Sequence, residues 1–206
     1  MNAQKYISGI ALLFAAFSSF SILAQDTLKL KSGTLKRVQI LEINDETVHF
    51  KPTPESPNAF YFAKTDIDEI WFQNGKKEKI TQPNLTLDEI KTKAVGLLNS
   101  NAHLGKSKNP VESAFDGDFL VLSEKGAKGK TYDLSKVYSF QPLSFRAENL
   151  AFLNIVINTK ENGSETWAKE KLVLNTESHE KAVLIQATLK KINALLIEKN
   201  GPFNKK

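Results

Sequence analysis

Acidic side chains that could act as a general acid and base form two short groups. The first is Asp66, Asp68 and Glu69, and the second is Asp116 and Asp118. Paired carboxylates serve glycoside hydrolysis, and carboxylates with enough further oxygen ligands bind calcium. Both groups fall at predicted turns, where aspartate bonds its own backbone, and no Asp-x-Asp-x-Asp-Gly loop occurs. The sequence therefore favours a turn role, and a hydrolase acting through these acids is the weakest alternative.

The histidines do not form a metal-ligand pattern. His179-Glu180 begins a His-Glu-x-x-His motif, but Val183 stands where the second histidine would be. Without that ligand pair no zinc site forms. His49 and His103 are isolated in sequence. We therefore predict no catalytic residue, no metal site and no cofactor.

A short basic segment lies between two predicted strands. It reads Lys125-Gly-Ala-Lys128-Gly-Lys130. The segment is either a solvated hairpin whose lysines protect the sheet edge, or a site for an anionic ligand. We take Lys125, Lys128 and Lys130 as the candidate ligand-binding residues.

The first 24 residues have the three parts of a secretory signal peptide. Lys5 supplies the positive start, residues 10–17 are apolar, and Ala24 is a small residue suited to cleavage. Cleavage is expected after Ala24, or after the neighbouring Gln25. The competing interpretation, a membrane anchor, needs about 20 predominantly apolar residues, and glycine and serines interrupt this stretch. No later segment is apolar enough to span a bilayer as a helix, so we expect no transmembrane span after signal removal.

The composition narrows the function further. The chain has no cysteine, which excludes disulfides, thiolate metal sites, a cysteine nucleophile and acylation of the bacterial lipoprotein type. Its formal net charge is +5, and lysine supplies nearly all the positive side chains. Arginine, the preferred residue for bidentate phosphate and base recognition, occurs only at Arg37 and Arg146. We therefore expect no nucleic-acid partner.

The hydrophobic pattern predicts two β-rich parts. Residues 26–80 read as six short strands with frequent turns, which predicts a small antiparallel barrel or rolled sheet. Residues 81–85 form a linker. Residues 86–200 begin with a helix, whose capping box is Thr86 and Glu89, and continue as strands over residues 118–174. Asn99–Asn109 reads as a loop, and residues 141–149 have room for a short extra strand.

The clearest element is a helix over residues 178–198. Its apolar stripe comprises Ala182, Ile185, Leu189, Ile192 and Leu196. Thr176 or Ser178 is expected to cap it, and Gly201-Pro202 to end it. The stripe predicts that this helix packs on the sheet of residues 118–174. The expected fold class is α+β, rich in strands.

The second part resembles the PH/GRAM-like superfold, an antiparallel sheet closed by one long C-terminal helix. The resemblance is carried by Phe119-Leu-Val-Leu, Tyr132-Asp-Leu-Ser-Lys-Val-Tyr-Ser-Phe, Leu172-Val-Leu and the helix from Ser178. It implies that the lysine hairpin binds anionic head groups, as hairpins of PH-like domains often do. The whole chain after the signal also looks like uncharacterised exported bacterial proteins with a small β module in front.

These observations together predict an exported, non-catalytic binding or scaffolding protein of the cell envelope. It would be periplasmic or secreted, and its partner would be an envelope protein or an anionic lipid surface. The first alternative is peripheral binding of anionic lipid through the basic hairpin. The second is the hydrolase using the aspartate groups.

Overall fold

The computed structural model of the chain describes residues 25–160 and 166–203. The predicted signal peptide, residues 1–24, lies outside these described residues. Export of the protein therefore stays a prediction.

The N-terminal part is one open antiparallel sheet of six strands. The strands are β1 Asp26–Leu30, β2 Leu35–Ile43, β3 Thr47–Lys51, β4 Phe60–Ala63, β5 Ile67–Trp71 and β6 Lys77–Lys79. Their order across the sheet is β4-β3-β2-β1-β5-β6. No sheet of the described residues closes into a barrel, so the barrel form expected for residues 26–80 is wrong. The edge strands β4 and β6 lie at opposite ends of the order and do not pair with each other.

Alternating side chains give this N-terminal sheet its own core. The core residues are Leu28, Val38, Val48, Phe50, Ile67 and Ile70. Asn74-Gly75 makes the hairpin between β5 and β6, where Gly75 has a φ of 85° that glycine adopts without a steric penalty. The chain from residue 80 to residue 86 then has no helix or strand and leads into the second part.

The second part contains two helices and two antiparallel sheets. The helices are α1 Leu87–Asn101 and α2 His179–Asn200. The strands are β7 His103–Leu104, β8 Val111–Asp116, β9 Phe119–Glu124, β10 Lys130–Asp133, β11 Val137–Phe140, β12 Ser144–Phe145, β13 Ala151–Lys160 and β14 Trp167–Thr176. One sheet has the order β10-β9-β8, and the other has β11-β13-β14-β7 with β12 paired to β13. The predicted fold class, α+β and rich in strands, is confirmed.

Helix α1 begins at the predicted capping box. The Thr86 hydroxyl accepts from the Glu89 amide at 3.3 Å, and the Glu89 carboxylate accepts from the Thr86 amide at 2.7 Å. The loop expected over Asn99–Asn109 is wrong in part, because α1 continues to Asn101 and β7 pairs with β14. Strand β8 was not predicted.

Helix α2 is capped by Ser178, whose hydroxyl accepts from the Lys181 amide at 3.2 Å. It ends at Gly201, which has a φ of 81°. The predicted apolar stripe is buried in the core of the second part. The first half of α2 is also buried on a further face, through Val183 and Ala187. That face contacts the N-terminal sheet. Helix α2 therefore lies between the N-terminal sheet and the core of its own part.

Contacts of several kinds join the two parts. Ala63 of β4 packs against Val183 and Ala187 in a small apolar cluster. The Thr47 hydroxyl donates to the Glu180 carboxylate at 2.8 Å. Glu46, between β2 and β3, forms an ion pair with Lys93 of α1. Strand β4 therefore faces helix α2 and is covered by it at this edge of the sheet.

Candidate functional site

A groove of about 800 Å³ lies where the two parts meet. We call it the junction groove and define it by six side chains that line it: His49, Phe60, Tyr61, Phe145, Arg146 and His179. A second pocket of about 430 Å³ adjoins it and shares Phe60, Tyr61 and Phe145. Lys36 and Arg37 line that adjoining pocket. The two cavities form one continuous surface with an aromatic centre.

One wall of the junction groove comes from neighbouring strands of the N-terminal sheet. His49 of β3 pairs across the ladder with Tyr61 of β4, and their rings stack with centroids 4.3 Å apart at an angle of 4°. Burial raises the pKa of Tyr61 above its ordinary value, and the nearby Glu180 and Glu42 raise it further. The Tyr61 hydroxyl therefore keeps its proton at neutral pH and is a donor.

The opposite wall comes from the second part. Phe145 lies on β12, the short strand predicted within residues 141–149. Its ring centroid is 6.2 Å from that of Phe60, edge to face, and 4.7 Å from the His179 ring. The His179 Nε2 lies 3.2 Å from the Arg146 carbonyl oxygen, so this nitrogen carries the hydrogen and donates. These contacts fix β12 against the start of α2.

The loop after β12 holds two residues in the left-handed backbone region. Glu148 and Asn149 have φ values of 59° and 60°. The loop is closed by the Arg146 amide, which donates to the Leu150 carbonyl at 2.7 Å. A left-handed residue other than glycine costs roughly 1–2 kcal/mol, and such strain tends to gather at binding sites. Here the strained loop carries Arg146 and Asn149, both of which line the junction groove.

The lining of the junction groove and its adjoining pocket is positively charged. No aspartate or glutamate lines either cavity, whereas Lys36, Arg37 and Arg146 do. These arginines are the only two in the sequence. Within residues 25–160 and 166–203, neither guanidinium forms an ion pair. Among the described residues, the surface therefore offers two guanidinium groups without an ion-pair partner beside half-buried aromatic rings.

A third cavity, of about 440 Å³, differs from the junction groove in the charge of its lining. It lies between the two parts and shares no lining residue with the groove. Its lining combines three lysines with two carboxylates, Asp45 and Glu46. The Glu46 carboxylate is already paired with Lys93. Charges of both signs at this third cavity offset one another.

The structure places Lys125 and Lys128 on the turn between β9 and β10 and Lys130 at the start of β10, and none of the three lines the junction groove. Lys130 pairs with Glu170 at 2.6 Å, and this hydrogen bond raises the pKa of Lys130. Lys125 and Lys128 are exposed and form no ion pair within the described part of the chain. The three lysines are therefore not equivalent, because only Lys125 and Lys128 have unpaired ammonium groups.

Two members of the first acidic group are held in ion pairs with a neighbouring lysine, whereas Asp66, in the turn before β5, forms none within the described residues. Asp68 and Glu69 lie 2.7 and 3.5 Å from the Lys29 ammonium. The hydrogen bond from Lys29 lowers the pKa of Asp68, and one from the Trp71 indole lowers the pKa of Glu69. Lowered pKa values leave these carboxylates without the proton that a general acid needs at neutral pH.

In the second acidic group only Asp118 is held in ion pairs within the described residues. Asp118 lies 2.8 Å from both Lys199 and Lys91, and hydrogen bonds from these two ammonium groups lower its pKa from 3.8 to about 2. Asp116 is exposed at the end of β8. Among residues 25–160 and 166–203, no three histidine or acidic side chains come together in a way that would hold a metal ion.

The sequence did not identify the junction groove. Its aromatic residues Phe60, Tyr61 and Phe145 lie in predicted strand regions and so resemble ordinary core residues, and His49 and His179 are far apart in the chain. The available signal was the position of the two arginines, one of them directly after Phe145. Only the packing of α2 against β4 brings these side chains to one surface.

In the part of the chain that is described, neither helix has the length and hydrophobicity needed to cross a membrane. Comparisons of the chain with protein-family models, curated proteins and solved structures find no significant match.

Proposed function

We propose that this chain is an exported, non-catalytic binding protein of the cell envelope and that the junction groove holds its ligand. The observation that carries the proposal is the groove itself, an aromatic cavity built jointly by both parts of the protein. Its volume of about 800 Å³ falls within the range of small-molecule sites, roughly 300–1,000 Å³. The ion-paired acids, with their lowered pKa values, favour binding over hydrolysis.

The test uses the chain from Gln25 to Lys206 and an apolar fluorescent probe, N-phenyl-1-naphthylamine. The variant is Phe145→Ala, which removes one aromatic wall of the groove. The matched control is Tyr138→Ala, because Tyr138 is 58% exposed and lies outside the groove. Phe145→Ala should weaken probe binding by roughly fivefold or more, as expected for the loss of an aromatic contact. Tyr138→Ala should leave the Kd unchanged.

Two results would overturn this proposal. One is an absence of probe binding by a folded chain, judged by circular dichroism. The other is an equal Kd for Phe145→Ala and for the unchanged chain. Amino-terminal sequencing of the exported protein tests the remaining part of the proposal, because an export signal predicts a new terminus at Gln25 or Asp26.

Peripheral binding of anionic lipid is the second candidate. It is favoured by the two exposed lysines Lys125 and Lys128, which have no ion-pair partner in the described chain. The proposed resemblance to PH/GRAM-like domains is supported by α2, which packs on β11, β13 and β14. Co-sedimentation with phosphatidylglycerol vesicles should then fall with salt, since the Debye length is about 8 Å at physiological ionic strength.

The charge reversal Lys125→Glu with Lys128→Glu should abolish that sedimentation. The control pair is Lys106→Glu with Lys108→Glu, two exposed lysines in the turn after β7. If the control pair reduces binding as much as the hairpin pair, the hairpin is not the lipid site.

A further inference from the structure

We infer that the junction groove selects small anionic ligands that carry a ring with an apolar face, with Arg37 and Arg146 holding the anionic group. This inference rests on the proposed function, because it names the class of ligand for the same groove. It adds a charge requirement that an aromatic groove alone would not impose.

The charge requirement follows from the lining of the two cavities. The chain has 23 acidic residues, yet none lines the junction groove or its adjoining pocket. Both arginines of the sequence line them, and two of the three histidines line the groove. The guanidinium group binds carboxylate, sulfate or phosphate through two parallel hydrogen bonds. An anion is therefore the ligand group that these unpaired guanidiniums match.

The ring requirement follows from the walls. His49 and Tyr61 stack in parallel at 4.3 Å on one side, and Phe145 with His179 forms the other side. Aromatic faces favour offset or edge-to-face contact with a second ring. These rings are half-buried, so their uncovered parts offer contacts to a second ring that a flexible acyl chain would not use.

The two arginines come from different parts of the protein. Arg37 lies on β2 in the N-terminal sheet, and Arg146 follows β12 in the second part. Arg146 lines the junction groove, Arg37 lines the adjoining pocket, and the two cavities share Phe60 and Phe145. A ring that rests on these phenylalanines can place its anionic group toward either guanidinium, so each arginine is expected to contribute.

Two carboxylates near the groove oppose its positive charge. Glu180 and Glu42 are close enough to raise the pKa of Tyr61. The Glu180 carboxylate accepts the hydrogen bond of Thr47, and neither glutamate lines the groove or the adjoining pocket. Their charge reduces the positive potential at the His49 end and leaves both guanidiniums unpaired.

The same chemistry could come from an aromatic acid or from an acidic sugar, and the experiment separates these two sources. The aromatic arm compares 8-anilinonaphthalene-1-sulfonate with N-phenyl-1-naphthylamine, which lacks only the sulfonate. The sugar arm compares trigalacturonate with its methyl ester. Kd values are measured for the chain from Gln25 to Lys206, by fluorescence for the aromatic arm and by calorimetry for the sugar arm.

The variant is Arg37→Gln with Arg146→Gln, and the control is Lys125→Gln with Lys128→Gln, which removes two positive charges outside the groove. All four positions are exposed, so both variants should fold, and circular dichroism verifies this. In at least one arm, the anionic ligand should bind at least roughly fivefold tighter than its neutral partner, as charge-assisted hydrogen bonds require. The arginine variant should lose this advantage, and the lysine control should keep it.

The outcomes separate the two proposals. If the neutral partner binds as tightly as the anion in both arms, the charge inference is overturned and the proposed binding function stands. An anionic advantage that survives in the arginine variant, or disappears in the lysine control, also overturns the inference. If no ligand of either arm binds, both the inference and the proposed function are overturned.

Discussion

The Thr47 hydroxyl of β3 donates a 2.8 Å hydrogen bond to the Glu180 carboxylate in the first turn of α2. Thr47 is fully buried, and the two residues are 133 positions apart in the chain. This single contact ties the N-terminal sheet to the last helix beside the junction groove. It also occupies one oxygen of the Glu180 carboxylate.

Thr47→Val should reduce the free energy of unfolding by about 1–2 kcal/mol. Valine has nearly the same shape as threonine, but it cannot donate the hydrogen bond to the charged carboxylate. Urea denaturation measures the change. The control is Thr53→Val, at an exposed position in the loop before β4, where almost no change is expected. Equal effects of the two variants would show that the Thr47 contact adds no stability.

Asp118 links the β8–β9 turn to both helices through Lys91 and Lys199. Because its pKa falls from 3.8 to about 2 on folding, its contribution to stability is present above about pH 4 and is lost as the pH falls toward 2. Asp118→Asn should therefore lower the free energy of unfolding by roughly 1 kcal/mol at pH 7, allowing for solvent screening. The difference from the unchanged protein should vanish near pH 2.

Asp116→Asn is the matched control for Asp118, since Asp116 is exposed and has no ion pair within the described residues. Urea midpoints of both variants across pH 2–7 make the comparison. A constant difference at every pH would contradict the assigned ion pairs.

Ala63 is small enough for β4 to lie close to α2, where it contacts Val183 and Ala187. Ala63→Leu should overpack this cluster and lower the free energy of unfolding by about 1–3 kcal/mol. It should also weaken binding of the fluorescent probe, because it displaces the two walls of the groove. Ala168→Leu, on an exposed position of β14, provides the control. Unchanged stability of Ala63→Leu would mean that the two parts do not pack as closely as described.

Glu148 occupies the left-handed backbone region in the loop that carries Arg146. Glu148→Gly should leave the stability unchanged or raise it by up to about 1 kcal/mol, because glycine relieves the steric cost at positive φ. Ala147→Gly, one residue earlier and without a positive φ, should instead lower stability by roughly 0.5–1 kcal/mol. Thermal unfolding of the pair measures the contrast, and a loss of stability in both would argue against the left-handed geometry.

The elements that were predicted well are those with local causes. The capping box of Thr86 and Glu89 starts α1 where expected. Each part also contains a strand, a polar corner and a second strand with aromatic residues. The two corners are short 3-10 turns at Lys64–Asp66 and Leu134–Lys136.

Strand β8 shows where local patterns fail. Only Val111 and Phe115 mark it as apolar, and charged residues occupy two of its six positions. Its inward position Ser113 is satisfied by Asn99 of α1, whose amide oxygen accepts from the Ser113 amide at 2.6 Å. A strand with a polar residue facing the core is predicted as a loop when the hydrogen-bond partner of that residue is not known.

The sequence alone determined that this is a strand-rich α+β chain without disulfides, with a capped α1 and a long amphipathic α2. These properties depend on composition and on neighbours a few residues apart. The tertiary structure decided that the first sheet stays open, that α2 is buried between two parts, and that Arg37, Phe145 and His179 share one aromatic surface. Those outcomes depend on which distant surfaces meet, and the pattern along a single strand or helix does not encode its partner.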